Sequence, residues 1–171
     1  MSPSIFHLEK FPHFLKRVVD LNRVHARDDP VHGALLLEGE RRQSLLGQGD
    51  PEPDTLAGRT QRARRLLSTI HHEFPAGAPV HEQAAYLVRA FSGLRPFDEA
   101  NHRTGWDYLA ETLQHNGHEL LAGEDEGRVL GNEVWHRLGS EEGTPALGPA
   151  DVLERDAAFE YLVDWFHHRI A

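Results

Sequence analysis

Pro96 divides the chain at the point that most restricts its fold. Proline has no N–H to donate and disfavours the α region at the residue before it, so Arg95-Pro96-Phe97 cannot lie inside a helix. Asp98 and Glu99 follow as helix-start acids, and a helical pattern then runs to Asn116-Gly117, a good stop signal. A tight loop therefore feeds straight into a helix N-terminus. Orphan N–H groups and the positive end of the helix dipole favour an anion there, above all a phosphate. Within this stretch Glu99 suits Mg²⁺ bridging phosphates. Asn101 and Arg103 add a neutral donor and a fixed cation for phosphate oxygens.

The rest of the chain favours helices as well. Pro12 stands near a helix start, with Phe14, Leu15, Val18, Val19 and Leu21 along one face to about Val24. After Asp28-Asp29-Pro30 a second helix is expected over Val31–Leu46. Gly47–Pro53 is the clearest loop, and Asp54 or Thr55 can cap a helix running to about His72. The basic run of that helix, Arg59, Arg62, Arg64 and Arg65, reads as a solvated face. Phe74–Pro79 breaks the chain before a helix over Val80–Gly93. A further helix is expected over Glu124–Leu138, weakened by Gly127 and Gly131 by ~1 kcal/mol each. The last is expected over Pro149–Ile170, with Val152, Leu153, Phe159, Leu162, Val163 and Phe166 on one side. No alternating strand longer than a few residues appears. The expectation is an all-α bundle of six or seven helices in one domain, residues 1–171.

Composition narrows the partners. The formal charge of −9 argues against a broad nucleic-acid surface. Sixteen arginines accompany only two lysines, Lys10 and Lys16. The absence of cysteine excludes disulfide and thiolate chemistry and fits a cytoplasmic setting. Neither a signal peptide nor an apolar stretch of the ~20 residues needed to span a membrane is evident.

Leu94–Gly117 resembles the core motif of Fic/Doc proteins, read as His-Pro-Phe-x-(Asp/Glu)-(Gly/Ala)-Asn-(Gly/Lys)-Arg-Thr. Pro96, Phe97, Glu99, Ala100, Asn101, Arg103 and Thr104 match it, and the Ala-Asn-x-Arg-Thr form is closer to the Doc branch. Ala84–Phe91 is similar to the family's helix before the motif, and the resemblance covers residues 81–120. It implies a Fic/Doc-like helical fold and transfer of AMP or a phosphoryl group to a protein hydroxyl. It also implies a nucleoside triphosphate with Mg²⁺ and a protein target or inhibitory partner. On this resemblance Glu99 holds the metal, Ala100, Asn101 and His102 form the phosphate cradle, and Arg103 meets the distal phosphates. Phe74–Pro79 then reads either as the family's target-aligning flap or as a plain connector.

Two positions depart from the motif. Arg95 stands where the family has its general-base histidine, and a guanidinium cannot act as a base. The loss of a general base costs a factor of ~10² to 10⁴ in rate. Arg95 either binds phosphate or pairs with Asp98 or Glu99. Trp106 replaces the second arginine of the long Fic motif. His102 lies inside the cradle, where it can contact phosphate when protonated or act as a displaced base toward a differently placed target.

Three functions follow: a transferase of weak or altered activity, a non-catalytic Fic-like binding module, and a metal-dependent hydrolase. The last would use the histidines, dense at His71-His72-Glu73, His167-His168 and His115-Asn-Gly-His118. An inhibitory Ser/Thr-x-x-x-Glu-(Gly/Asn) segment is approached by Ala34–Gly39 and by Thr69–Phe74, each one residue short of the pattern.

Overall fold

The chain folds around a helix that is apolar on nearly every side. The computed structural model describes residues 10–26, 36–37, 52, 55–142 and 144–171. Among them are six α-helices: α1 (Phe11–His25), α2 (Leu56–His72), α3 (Val80–Leu94), α4 (Asn101–His115), α5 (Glu124–Arg137) and α6 (Ala157–His167). A 3₁₀ turn covers Pro149–Asp151. No strand occurs among the described residues; Leu120 and Ile170 form an isolated antiparallel bridge. The described chain is thus all-helical. None of its described helices is long and apolar enough to cross a membrane.

Every residue of α3 from Gln83 to Phe91 is buried, as expected of a helix without a polar face. It packs against α2, α4, α5 and α6, while α1 lies across α2 and α4. Burying one Leu or Phe side chain contributes ~1.5–3 kcal/mol. Leu87, Phe91 and Leu94 of α3 meet a core that takes Phe14, Val18, Leu67 and Phe166 from its neighbours.

Local chemistry sets the helix ends close to where the sequence places them. The Thr55 hydroxyl accepts from the Gly58 N–H and caps α2. Phe74–Pro79 is a turn pinned by Gln83, whose side-chain amide donates to the carbonyls of Ala76 (3.3 Å) and Ala78 (2.6 Å). The second helix expected over Val31–Leu46 lies outside the described residues except at Leu36 and Leu37, which are helical. Of the segment Ala34–Gly39, only these two residues are described.

The final helix departs from expectation. Instead of running from Pro149 to Ile170, the chain makes the 3₁₀ turn, breaks, and restarts at Ala157. Asp156 causes the restart. Its carboxylate accepts from the Phe159 N–H at 2.8 Å, an N-cap within what reads as one helix. Arg89 holds the break open, donating to the carbonyls of Asp151 and Val152 and to the Asp156 carboxylate.

Candidate functional site

The loop between α3 and α4 is held by side chains from three helices. Arg62 of α2 donates to the carbonyls of Leu94 and Arg95, both at 3.1 Å. It thereby satisfies carbonyls left over at the end of α3. Arg59 of α2 pairs with Asp98 at 2.9 Å. Two arginines of the basic run therefore anchor this loop, where the sequence suggests only a solvated face. On the other side, the Asn22 side-chain amide of α1 donates to the Glu99 carbonyl at 3.0 Å and to the Thr104 hydroxyl at 3.1 Å.

Asn101 closes the loop on itself. Its side-chain oxygen accepts from the Phe97 N–H at 2.8 Å, and its nitrogen donates to the Phe97 carbonyl at 2.9 Å. Phe97, 4% exposed, plugs the core beneath. The Asn101 side chain is thus spent on loop geometry, and what it offers an anion is the backbone N–H at the start of α4. The loop begins and ends on left-handed residues, Arg95 (φ 50°) and Ala100 (φ 59°). An L side chain in that region costs ~1–2 kcal/mol. Ala100→Gly is expected to raise unfolding free energy by about 1 kcal/mol, less the extra freedom of glycine in the unfolded chain. The midpoint of urea unfolding measures it; a fall in the midpoint would show that the strain is absent.

Arg95, Ala100, Asn101, His102 and Arg103 line one cleft of about 630 Å³ between the start of α4 and the flank of α5. Its other wall carries Glu124, Asp125, Arg128 and Trp135. Glu99 does not line it. The Arg95 guanidinium lies over the Trp135 ring, 5.7 Å from its centroid. Its Nη1 is buried with no partner among the described residues. Asp98, a partner the sequence offers for Arg95, is taken by Arg59. Arg62 sits close enough to feel this cation: burial lowers its pKa, Asp98 counters, and Arg95 and Arg65 lower it further.

Arg103 projects to the cleft's outer edge and donates to Glu124 at 2.5 Å. That bond, with the arginine's charge, holds the Glu124 carboxyl below its usual range. Both side chains are more than half exposed, so the pair is readily exchanged for another anion. On the flank of α4 facing α1, His25 Nε2 contacts the Asp107 carboxylate.

His102 occupies the inner wall. Its Nδ1 lies 3.2 Å from the Ser92 hydroxyl and its Nε2 2.7 Å from the Gly127 carbonyl oxygen. Burial lowers its pKa, while the bond to Gly127 works the other way. The close approach of α5 depends on two glycines. A Cβ at Gly131 would stand 2.5 Å from the His102 ring, and one at Gly127 would stand 2.6 Å from the Trp106 ring. These residues read in the sequence as weak points of a helix; in the structure they let α5 form the second wall.

Sequence reasoning thus located the loop and one wall, and missed Ser92, Trp135 and the acids of α5. The four-residue spacing of Gly127 and Gly131 was the available signal for a close helix approach. The histidines do not converge: among the described residues no group of three or more His, Asp or Glu side chains could hold a metal. Comparisons with protein-family models, with curated proteins and with solved structures find no match to this chain.

Proposed function

We propose that the cleft at the start of α4 binds the phosphates of a nucleoside triphosphate, in a Fic/Doc-like protein. The observation that carries this is Arg95, whose Nη1 is buried without a partner among the described residues and whose side chain lines the same cleft as the first residues of a fifteen-residue helix. A buried guanidinium N–H without an acceptor is costly, and an anionic oxygen removes that cost. The volume falls within the range of small-molecule sites. Arg103 at the outer edge is placed to meet a distal phosphate.

Magnesium fits this donor set through oxygen ligands. Mg²⁺ takes one or two carboxylates and fills its shell with phosphate oxygens and water. The cleft wall supplies Asp125 and Glu124, with Glu99 on the loop outside it. Bound there, the ion would neutralise phosphate charge. The chain's own residues position the nucleotide: Arg95 and the α4 N-terminus fix the inner phosphate, and Arg103 exchanges Glu124 for the outer one.

By the motif resemblance, the reaction is attack of a protein hydroxyl on a nucleotide phosphorus, with pyrophosphate leaving in AMP transfer or nucleoside diphosphate leaving in phosphoryl transfer. Arg95 cannot take the hydroxyl proton, so transfer to outside proteins is slow. The non-catalytic binding module shares the nucleotide site and differs only in turnover. The test is titration with Mg²⁺–ATP, followed by calorimetry and by fluorescence of the cleft tryptophans. Saturable one-to-one binding that inorganic triphosphate displaces and adenosine does not is the expected result. Absence of binding at millimolar nucleotide would remove the proposal.

A further inference from the structure

Resting on the reading of the cleft as a phosphate site, we infer that Ser92 is the cleft's own acceptor hydroxyl, with His102 as the base that takes its proton. Both side chains line the cleft. A carbonyl oxygen can only accept, so the 2.7 Å contact to Gly127 requires the hydrogen of the ring on Nε2. The neutral ring then has a bare Nδ1, which accepts from the Ser92 hydroxyl at 3.2 Å. This is the arrangement of an activated nucleophile: hydroxyl, base within hydrogen-bond reach, and a third group fixing the base's tautomer.

The packing holds that geometry. Ser92 lies in the last turn of α3 and His102 in the first turn of α4. The ring is pressed against α5 at Gly131, where no side chain intervenes. Burial keeps the imidazole neutral at pH 7, the form able to accept a proton. The neighbouring donors are a guanidinium and a helix N-terminus, which suit a phosphorus electrophile.

In the step, Ser92 Oγ attacks a phosphorus of bound ATP and an Oγ–P bond forms. The P–O bond to the leaving group breaks, and that group departs with the electron pair. Attack at the γ-phosphorus releases ADP and leaves a phosphoserine; attack at the α-phosphorus releases pyrophosphate and leaves an adenylylated serine. The hydroxyl proton moves to His102 Nδ1 and passes from there to water.

The experiment incubates the full chain with Mg²⁺ and either α- or γ-labelled ATP, locates label by peptide mass spectrometry, and measures ATP binding on the same samples. Label on Ser92 is expected, absent in Ser92→Ala and retained at that position in Ser92→Thr. His102→Gln is expected to label ~10²- to 10⁴-fold more slowly at saturating Mg²⁺–ATP. The wild-type rate should rise with pH below neutrality and then level off, and this limb should vanish in His102→Gln; a packing role for the pair would produce neither change. ATP binding with no label, or with label on another residue, would overturn the assignment while leaving the phosphate site intact. Failure of the wild type to bind ATP would overturn both.

Discussion

Arg95→His is expected to transfer label from Mg²⁺–ATP to proteins of a cell extract ~10²- to 10⁴-fold faster than wild type at saturating nucleotide, the usual contribution of a general base. The position faces the cleft, so an imidazole there meets the same bound phosphates. Its backbone also tolerates the change, because histidine is among the residues enriched at positive φ. The new base accepts a proton only as the neutral ring. The gain should therefore grow as pH rises and level off once the imidazole is neutral. The variant gives up the Arg95 contact, so its nucleotide affinity falls even as its turnover rises, and the comparison is one of kcat. No transfer by either variant or wild type, with nucleotide bound to both, would make the chain a binding module.

Arg89→Met is expected to cost up to ~3–5 kcal/mol of stability, the range for removing one partner from a buried ion pair, with the half-buried Asp156 carboxylate recovering some hydration. Arg89 is fully buried in α3. Its Nε and Nη2 reach both oxygens of Asp156 at 2.7–3.1 Å, and its Nη1 reaches two carbonyls at 3.0 Å. Methionine fills the volume and satisfies none of these acceptors. Lysine keeps the charge but cannot fork, so Arg89→Lys should recover only part of the loss. Against a typical total of ~5–15 kcal/mol, the change is visible as a lower urea midpoint at unchanged slope. A loss under ~1 kcal/mol would mean that water replaces the guanidinium without penalty.

The same network sets an acid limit. Burial works to raise the Asp156 pKa, but the bonds from Arg89 and the Phe159 N–H outweigh it and hold the carboxyl below its ordinary value. A group with a depressed folded pKa stabilises the fold above its unfolded value. That contribution is lost as pH falls through the folded one.

Much of this architecture could be read from local signals. Pro12, Thr55, Pro79 and Asn116-Gly117 mark helix ends because capping and proline chemistry act over a few residues. Asp156 does the same work inside a segment whose periodicity reads as one helix, and there the periodicity concealed it. Arg89 is one charge among Ala84, Ala85, Leu87, Val88 and Phe91, and its partners lie 62 to 67 residues away. The site divides in the same way. The loop and the start of α4 follow from Pro96 and the residues after it. The second wall comes from α5, which only tertiary packing brings near. Asn101 was legible as a polar group at a helix start, whereas its use as a clamp on Phe97 needs the folded loop.

Calorimetric titration of Mg²⁺–ATP into wild type and Arg95→Met tests whether the cleft binds phosphate through Arg95. A hydrogen bond to a charged group contributes ~1.5–3 kcal/mol. Arg95→Met should therefore bind ~10- to 150-fold more weakly. Its stability should fall by no more than the ~0.5–2 kcal/mol of the lost contact with Trp135, since the buried Nη1 it removes has no partner among the described residues. Equal affinity for the two proteins would contradict the account and leave Arg95 as a structural cation stacked on Trp135.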